Sequence, residues 1–176
     1  LAAMVYATHH ISGGHLNPAI TIALWSTKHI RGMHAIGYVV AQLIGGIVAA
    51  LLVKMVFVGV SPQFYLGDAM LGTGVSIGMG IFVEALFTFF LVWTVFATVI
   101  DRRASPVIGG LSIGMVMATA ILIAGNITMA ALNPARSFGP AVVSSHWDYF
   151  YVYWVGPIIG ALIAGFIYQY GILKKD

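Results

Sequence analysis

The chain is 176 residues long, 60% hydrophobic and only 7% charged, with a mean hydropathy of +0.98 and a formal net charge of +3. A soluble domain of that size needs far more charge to cover its surface, so a water-soluble enzyme or binding module does not fit and a membrane protein does. The lack of cysteine rules out disulfides, thiolate metal sites and a cysteine nucleophile. The pI near 9.3 comes from basic residues in short groups beside apolar runs, the pattern of orientation signals and not of a nucleic-acid surface.

In chain order, nothing near Leu1 resembles a cleavable signal peptide. Asn17-Pro18-Ala19 opens an apolar helix from Pro18 to about Trp25, with Asn suited to the cap and Pro to the first turn. Its two or three turns are too few to cross a bilayer. Four later stretches, 35–57, 75–100, 105–125 and 149–171, are each long and apolar enough to cross a hydrocarbon core about 30 Å thick. Between the third and fourth, Asn133-Pro134-Ala135 opens a second short helix, to about Val143. Small-residue spacings such as Gly45 with Ala49, Gly74 with Gly78 and Gly156 with Gly160 predict close helix contacts. Lys28, Arg31, Arg102, Arg103, Lys174 and Lys175 fall in loops or tails that an even number of crossings places on one side, the cytoplasmic one. Lys54 lies near a span end, where it can snorkel.

The segments after the two tripeptides also rhyme: Ala41-Gln42-Leu43-Ile44-Gly45-Gly46 corresponds loosely to Val155-Gly156-Pro157-Ile158-Ile159-Gly160. This predicts an internal repeat. An odd number of crossings between the halves makes the repeats inverted, so the two half-helices enter from opposite sides and meet near the midplane. Non-helical backbone at that depth must be buried in protein or line a water-filled cavity. The carbonyls of Gly13, Gly14 and His15, and of Met129, Ala131 and Leu132, then form a ladder of acceptors for single-file water. Each half-helix aims the positive end of its dipole and an Asn amide at the centre, which repels a cation and serves a neutral molecule with lone pairs. One such tripeptide alone is a turn and a helix start; two in matched apolar settings point to a channel. Arg136 opposes the dipole of its own helix and is costly to bury, so it is expected to act in the pore.

The stretches Ile11-Ser12-Gly13-Gly14-His15-Leu16-Asn17-Pro18-Ala19-Ile20-Thr21 and Leu132-Asn133-Pro134-Ala135-Arg136-Ser137-Phe138-Gly139-Pro140-Ala141 resemble the two signature segments of the aquaporin (major intrinsic protein) family. The resemblance extends over essentially the whole chain, including Gly37-Tyr38-Val39-Val40-Ala41-Gln42 and Tyr153-Trp154-Val155-Gly156-Pro157. It implies an all-α membrane protein, an aquaporin-like bundle with inverted repeats and two re-entrant half-helices. Residues 1–57 would be the end of the first repeat, 58–74 a connecting loop and 75–176 the second repeat. The first span and most of the second would precede Leu1. The implied function is passive, osmotically driven water transport that excludes ions and protons, with pore width, donors and a charged barrier setting selectivity. Ammonia, hydrogen peroxide and glycerol are possible further solutes. A truncated or non-conducting membrane protein of the same fold is the alternative.

Within the resemblance, Arg136 forms the selectivity constriction with Ile121, Ala130 and a position before Leu1. Ile121 resembles plant vacuolar members and implies a wider, less polar constriction than the His of many strict water channels. Ser137, Ala141, Tyr153 and Trp154 match the water-channel set, since glycerol-conducting relatives tend to carry Asp, a basic residue, Pro and a smaller aliphatic there. Glu84 lies inside an uncharged span; the residues alone leave a proton relay open, and the resemblance implies that it braces the second half-helix loop. His15 is expected to offer its carbonyl to the pore while its ring packs locally. No carboxylate or thiol accompanies His9, His10 or His15 as a metal set, and no catalytic constellation or cofactor motif is present. A homotetramer in lipid is implied, and the run from Gly37 to Gly46 resembles bacterial members, implying a bacterial inner membrane.

Overall fold

The computed structural model describes residues 1–57, 66–104 and 106–173, and among them every regular element is helical. The expectations for 58–65, Lys174 and Lys175 lie outside the described residues. Helix α1 is Ala2–Ser12, α2 Pro18–Ser26, α3 Gly32–Val56, α4 Ile77–Val95, α5 Gly109–Thr128, α6 Pro134–Ser144 and α7 Val152–Ile167. Wider π turns extend α4 to Ile100 and α7 to Ile172. Helix α3, the extended α4, α5 and the extended α7 are the four elements long and apolar enough to span a membrane. They begin and end within a few residues of the predicted stretches.

Two helix pairs set the frame, and both depend on missing side chains. At Gly156 a Cβ would stand 2.7 Å from the Glu84 Cβ and 2.8 Å from the Ile81 carbonyl, and at Gly160 it would run into the Ala85 backbone. Helices α4 and α7 therefore touch backbone to backbone, as small residues allow inside a membrane. Helices α3 and α6 do the same where Gly46 meets the Ala135 carbonyl and Gly139 meets Gly46. The expected contacts at Gly45, Gly74 and Gly78 are corrected by the structure: a Cβ at any of the three would meet open space. One residue along a helix rotates a position by about 100°, so Gly46 and not Gly45 faces the partner.

The outer face of α3 exposes Met33, Ile36, Val40, Ile44, Val48 and Met55, an apolar surface that water would not tolerate and lipid does. At one end of the bundle the C-terminal ends of α2, α4 and α7 converge. The His29 ring is 2.6 Å from the Gln169 Oε1, Tyr168 donates its hydroxyl to the Asp101 carboxylate at 3.0 Å, and Arg103 pairs with Asp101 and donates to the Ile172 carbonyl. The hydrogen bonds from Arg103 hold the Asp101 carboxyl well below the usual carboxylate range. The basic stretches around Lys28 and Arg102 thus share one end with the close of α7, as their charge predicts. At the opposite end, the Gly72 N–H donates to the Ile127 carbonyl at 2.8 Å and Asp68 hydrogen-bonds to His146.

Candidate pore

Helices α2 and α6 have nine and eleven residues. At 1.5 Å per residue the two laid end to end measure about 30 Å, the thickness of the hydrocarbon core, so each covers about half of it. Helix α2 runs to the basic end and α6 to the opposite one, and their N-termini meet. Asn17 and Asn133 are extended cap residues, each followed by Pro in the first turn. The Asn17 Oδ1 accepts the Ala19 N–H at 2.9 Å, and the Asn133 Oδ1 accepts those of Ala135 at 3.0 Å and Arg136 at 3.3 Å. The amide nitrogens then cross: Asn17 donates to the Leu132 carbonyl at 2.8 Å and Asn133 to the Leu16 carbonyl at 3.0 Å. Each NH2 group keeps a second hydrogen. Pro18, Ala19, Pro134 and Ala135 are buried behind this junction.

The loops entering the junction carry their own supports. Gly13 and Gly14 have φ of 74° and 68°, while Met129, Ala130 and Leu132 have φ of 61°, 45° and 51°, the left-handed region that side chains disfavour. The second loop is held by Glu84, wholly buried, whose two oxygens accept the Ala131 N–H at 3.0 Å and the Leu132 N–H at 2.7 Å. The first is held by Gln42, which donates to the His15 carbonyl and the Thr21 hydroxyl, each at 2.9 Å. The His15 ring lies 3.2 Å from that hydroxyl and stacks on Tyr38 at 4.3 Å. The carbonyls of His15 and Leu132 therefore each serve a protein donor and retain one lone pair.

A cavity of about 400 Å³ runs beside the junction, lined by Val5, Leu91, Val95, Ile113 and Met117 on its apolar wall and by Gly13, Gly14, His15, Asn17, Ala131, Asn133 and Arg136 along a more polar strip. A second, of about 650 Å³ between α1, α3 and α6, shares His15, Leu16, Asn133 and Arg136 with it. Arg136 is half-buried, and its Nη1 is buried with no hydrogen-bond partner among the described residues. Ile121 is 50% exposed and Ala130 fully buried, and neither is among the described residues lining the two cavities. Ile121 nevertheless continues the α5 face of Ile113 and Met117 at four-residue spacing. Ser137, Ala141 and Tyr153 are buried and Trp154 half-buried; Trp154 packs against Phe138 and Phe150.

Sequence reading passed over the roles of Gln42, Thr21 and Asp68. Gln42 carried a usable signal, an uncompensated polar side chain inside an apolar span. Asp68 carried none, because a carboxylate in a connecting stretch reads as solvated.

The chain matches the family model described as Major intrinsic protein over residues 1–168, and it belongs to that family. It is 44% identical to aquaporin TIP4-4 of Zea mays over 96% of its own length and 66% of that protein, and 43% identical to aquaporin-4 of Homo sapiens over 97% and 53%. It thus spans about half of the mammalian relative and two thirds of the plant one. The X-ray structure of the aquaglyceroporin from Plasmodium falciparum superposes with a TM-score of 0.87 at 22% identity, over 96% of this chain and 76% of that one, a likeness of fold. The protein is thus an integral, multi-pass membrane protein of the Major intrinsic protein family. These relatives come from a plant and a mammal and lend no support to a bacterial inner membrane.

Proposed function

We propose that this chain forms a passive pore through which water moves along an osmotic gradient while ions and protons are excluded. The carrying observation is the reciprocal Asn17–Asn133 junction, with two half-helix N-termini facing one another beside an apolar cavity. A water molecule leaving bulk needs replacement partners, and the free amide hydrogens and the remaining carbonyl lone pairs supply donors and acceptors in a narrow strip. A cation arriving there meets two positive dipole ends and the Arg136 guanidinium. Glu84 supports the reading as a brace, since both of its oxygens are occupied by backbone N–H groups.

Ile121, Ala130 and Arg136 form the narrowest ring in this reading, with Ile121 making it less polar. Ser137, Ala141, Tyr153 and Trp154 favour water over glycerol, and ammonia and hydrogen peroxide are small enough to follow. The two repeats are inverted about the Asn junction, and the apolar outer face of α3 is available to lipid and to neighbouring copies in a homotetramer.

Osmotic shrinkage of proteoliposomes, followed by light scattering against empty liposomes, tests the function. Accelerated shrinkage with a low activation energy is expected. Lipid-like permeability in correctly inserted protein would instead support a non-conducting member of the fold.

A further inference from the structure

A third cavity, of about 390 Å³, opens at the basic end of the bundle, where the extended α4 and α7 finish. Its lining combines Arg102, Arg103 and the His29 ring with apolar Val99, Ile100 and Leu173. The one carboxylate among its described lining residues is Asp101, and that carboxylate is already saturated. Its Oδ1 accepts the Arg103 backbone N–H at 3.0 Å and the Arg103 Nε at 2.8 Å, while its Oδ2 accepts the Tyr168 hydroxyl at 3.0 Å and the Arg103 Nη2. A carboxylate has about four lone-pair positions, and all are taken.

Those bonds, with a further one from the Arg103 Nη2 to the Ile172 carbonyl at 3.1 Å, hold the Arg103 fork in place and leave its Nη1 out of the cluster. The His29 ring is fixed in turn by the Gln169 Oε1 and packs edge-on to Phe96. Arg102 is exposed and makes no hydrogen bond or ion pair among the described residues. Two guanidinium groups against one carboxylate leave the lining net positive, and guanidinium forks match the oxygens of a phosphate. Ile100 and Ile172 close two of the membrane-spanning elements, so the cavity lies at the depth of lipid headgroups. Basic loops mark the face turned to the anionic leaflet.

We infer that this cavity binds a phosphate ester, with the phosphate on Arg102 and Arg103 and the apolar part of the molecule against Val99, Ile100 and Leu173. An anionic lipid headgroup and a soluble phosphate compound share that chemistry. Val99 and Ile100 also line the cavity beside the Asn junction. An occupant therefore covers the basic-end mouth of the pore and slows water. That consequence, but not the binding, rests on the pore reading above.

The test titrates the full chain in neutral detergent with inorganic phosphate and, separately, with short-chain phosphatidylglycerol, following binding by native mass spectrometry. Binding of the phosphatidylglycerol assigns the site to lipid, and binding of inorganic phosphate alone assigns it to a soluble ligand. Arg102→Gln, on an exposed turn outside the Asp101 cluster, should weaken either binding by about tenfold, the loss of one charge-assisted contact. Lys28→Gln removes the same charge from the same end but not from the cavity, and should change binding by less than about twofold. Binding of neither probe, or equal losses in Arg102→Gln and Lys28→Gln, would overturn the inference. Water flux is then compared in vesicles of phosphatidylcholine with and without the probe that binds. The probe should slow the wild type and leave Arg102→Gln unaffected; an occupied site with unchanged water flux would overturn the covering of the mouth. A wild type that passes no water even in pure phosphatidylcholine refutes the pore reading instead, and the titration still judges the site.

Discussion

Replacing Glu84 by Ala should be among the most damaging single changes in this protein. Its side chain is wholly buried, and its oxygens satisfy the N–H groups of Ala131 and Leu132 at 3.0 and 2.7 Å. Truncation leaves both donors unsatisfied where water does not reach, at about 1–3 kcal/mol each, so Glu84→Ala should cost on the order of 4 kcal/mol. The same loop holds Met129, Ala130 and Leu132 at positive φ, a conformation that disfavours side chains by about 1–2 kcal/mol per residue and persists only under tertiary restraint. Without the brace the loop relaxes, and the Leu132 carbonyl withdraws from Asn17. Glu84→Gln keeps one acceptor and turns its NH2 toward the other N–H, so about half the loss is expected. Unfolding by SDS titration in mixed micelles, followed by circular dichroism, measures both. A Glu84→Ala midpoint within about 1 kcal/mol of wild type would refute the bracing argument.

Gly160→Val should lose about 1–3 kcal/mol in the same titration, because its side chain must displace the Ala85 backbone, whereas Gly45→Val, pointing into open space, should stay within about 0.5 kcal/mol. Arg136→Ala removes a guanidinium lining both cavities and should admit glycerol or urea in swelling assays; unchanged permeability to every solute would remove Arg136 from the constriction. Asp101, whose carboxyl is depressed by Arg103, contributes stability present in full above the unfolded carboxylate pKa of about 3.9, lost only as pH falls through the lower folded value. The stability difference between wild type and Asp101→Asn should therefore hold constant from neutral pH to about pH 5 in thermal melts. Below about pH 4 the difference should narrow, and a difference unchanged down to about pH 3 would show that Arg103 does not hold the carboxyl down.

Much of this architecture was legible because a membrane makes unusual demands on sequence. Backbone groups in hydrocarbon must be satisfied internally, so long apolar runs can only be helices, and α3, the extended α4, α5 and the extended α7 appear where the runs do. Pro18 and Pro134 marked the half-helix starts because proline is tolerated in a first turn and costly further in. Which small residue makes a contact was not legible. Small-xxx-small spacing cannot distinguish Gly45 from Gly46, since the choice depends on how α3 is rotated against α6, a property of the assembled bundle. The crossing of the two Asn amides was equally hidden, because nothing local pairs Asn17 with a carbonyl more than a hundred residues away. The supports from Gln42 and Asp68 are long-range for the same reason.

The junction also explains why asparagine occupies both caps. Ser, Thr and Asp cap helices about as well, because capping needs only a side-chain oxygen that accepts a backbone N–H. A hydroxyl has a single hydrogen and a carboxylate none, whereas the amide accepts with Oδ1 and still offers two donors. Asn17 uses all three capacities in this reading: one caps α2, one grips the Leu132 carbonyl, and one is left for the lumen. Asn17→Asp separates these duties. The cap to Ala19 survives, but the donor to Leu132 becomes an acceptor facing an acceptor, and the added charge cancels about +1 from the two dipole ends. Potassium should then leak through vesicles that are tight with wild-type protein. Asn17→Ser, which keeps a cap and adds no charge, should remain potassium-tight. Potassium-tight Asn17→Asp vesicles that still conduct water would show that the half-helix dipoles do not set cation exclusion.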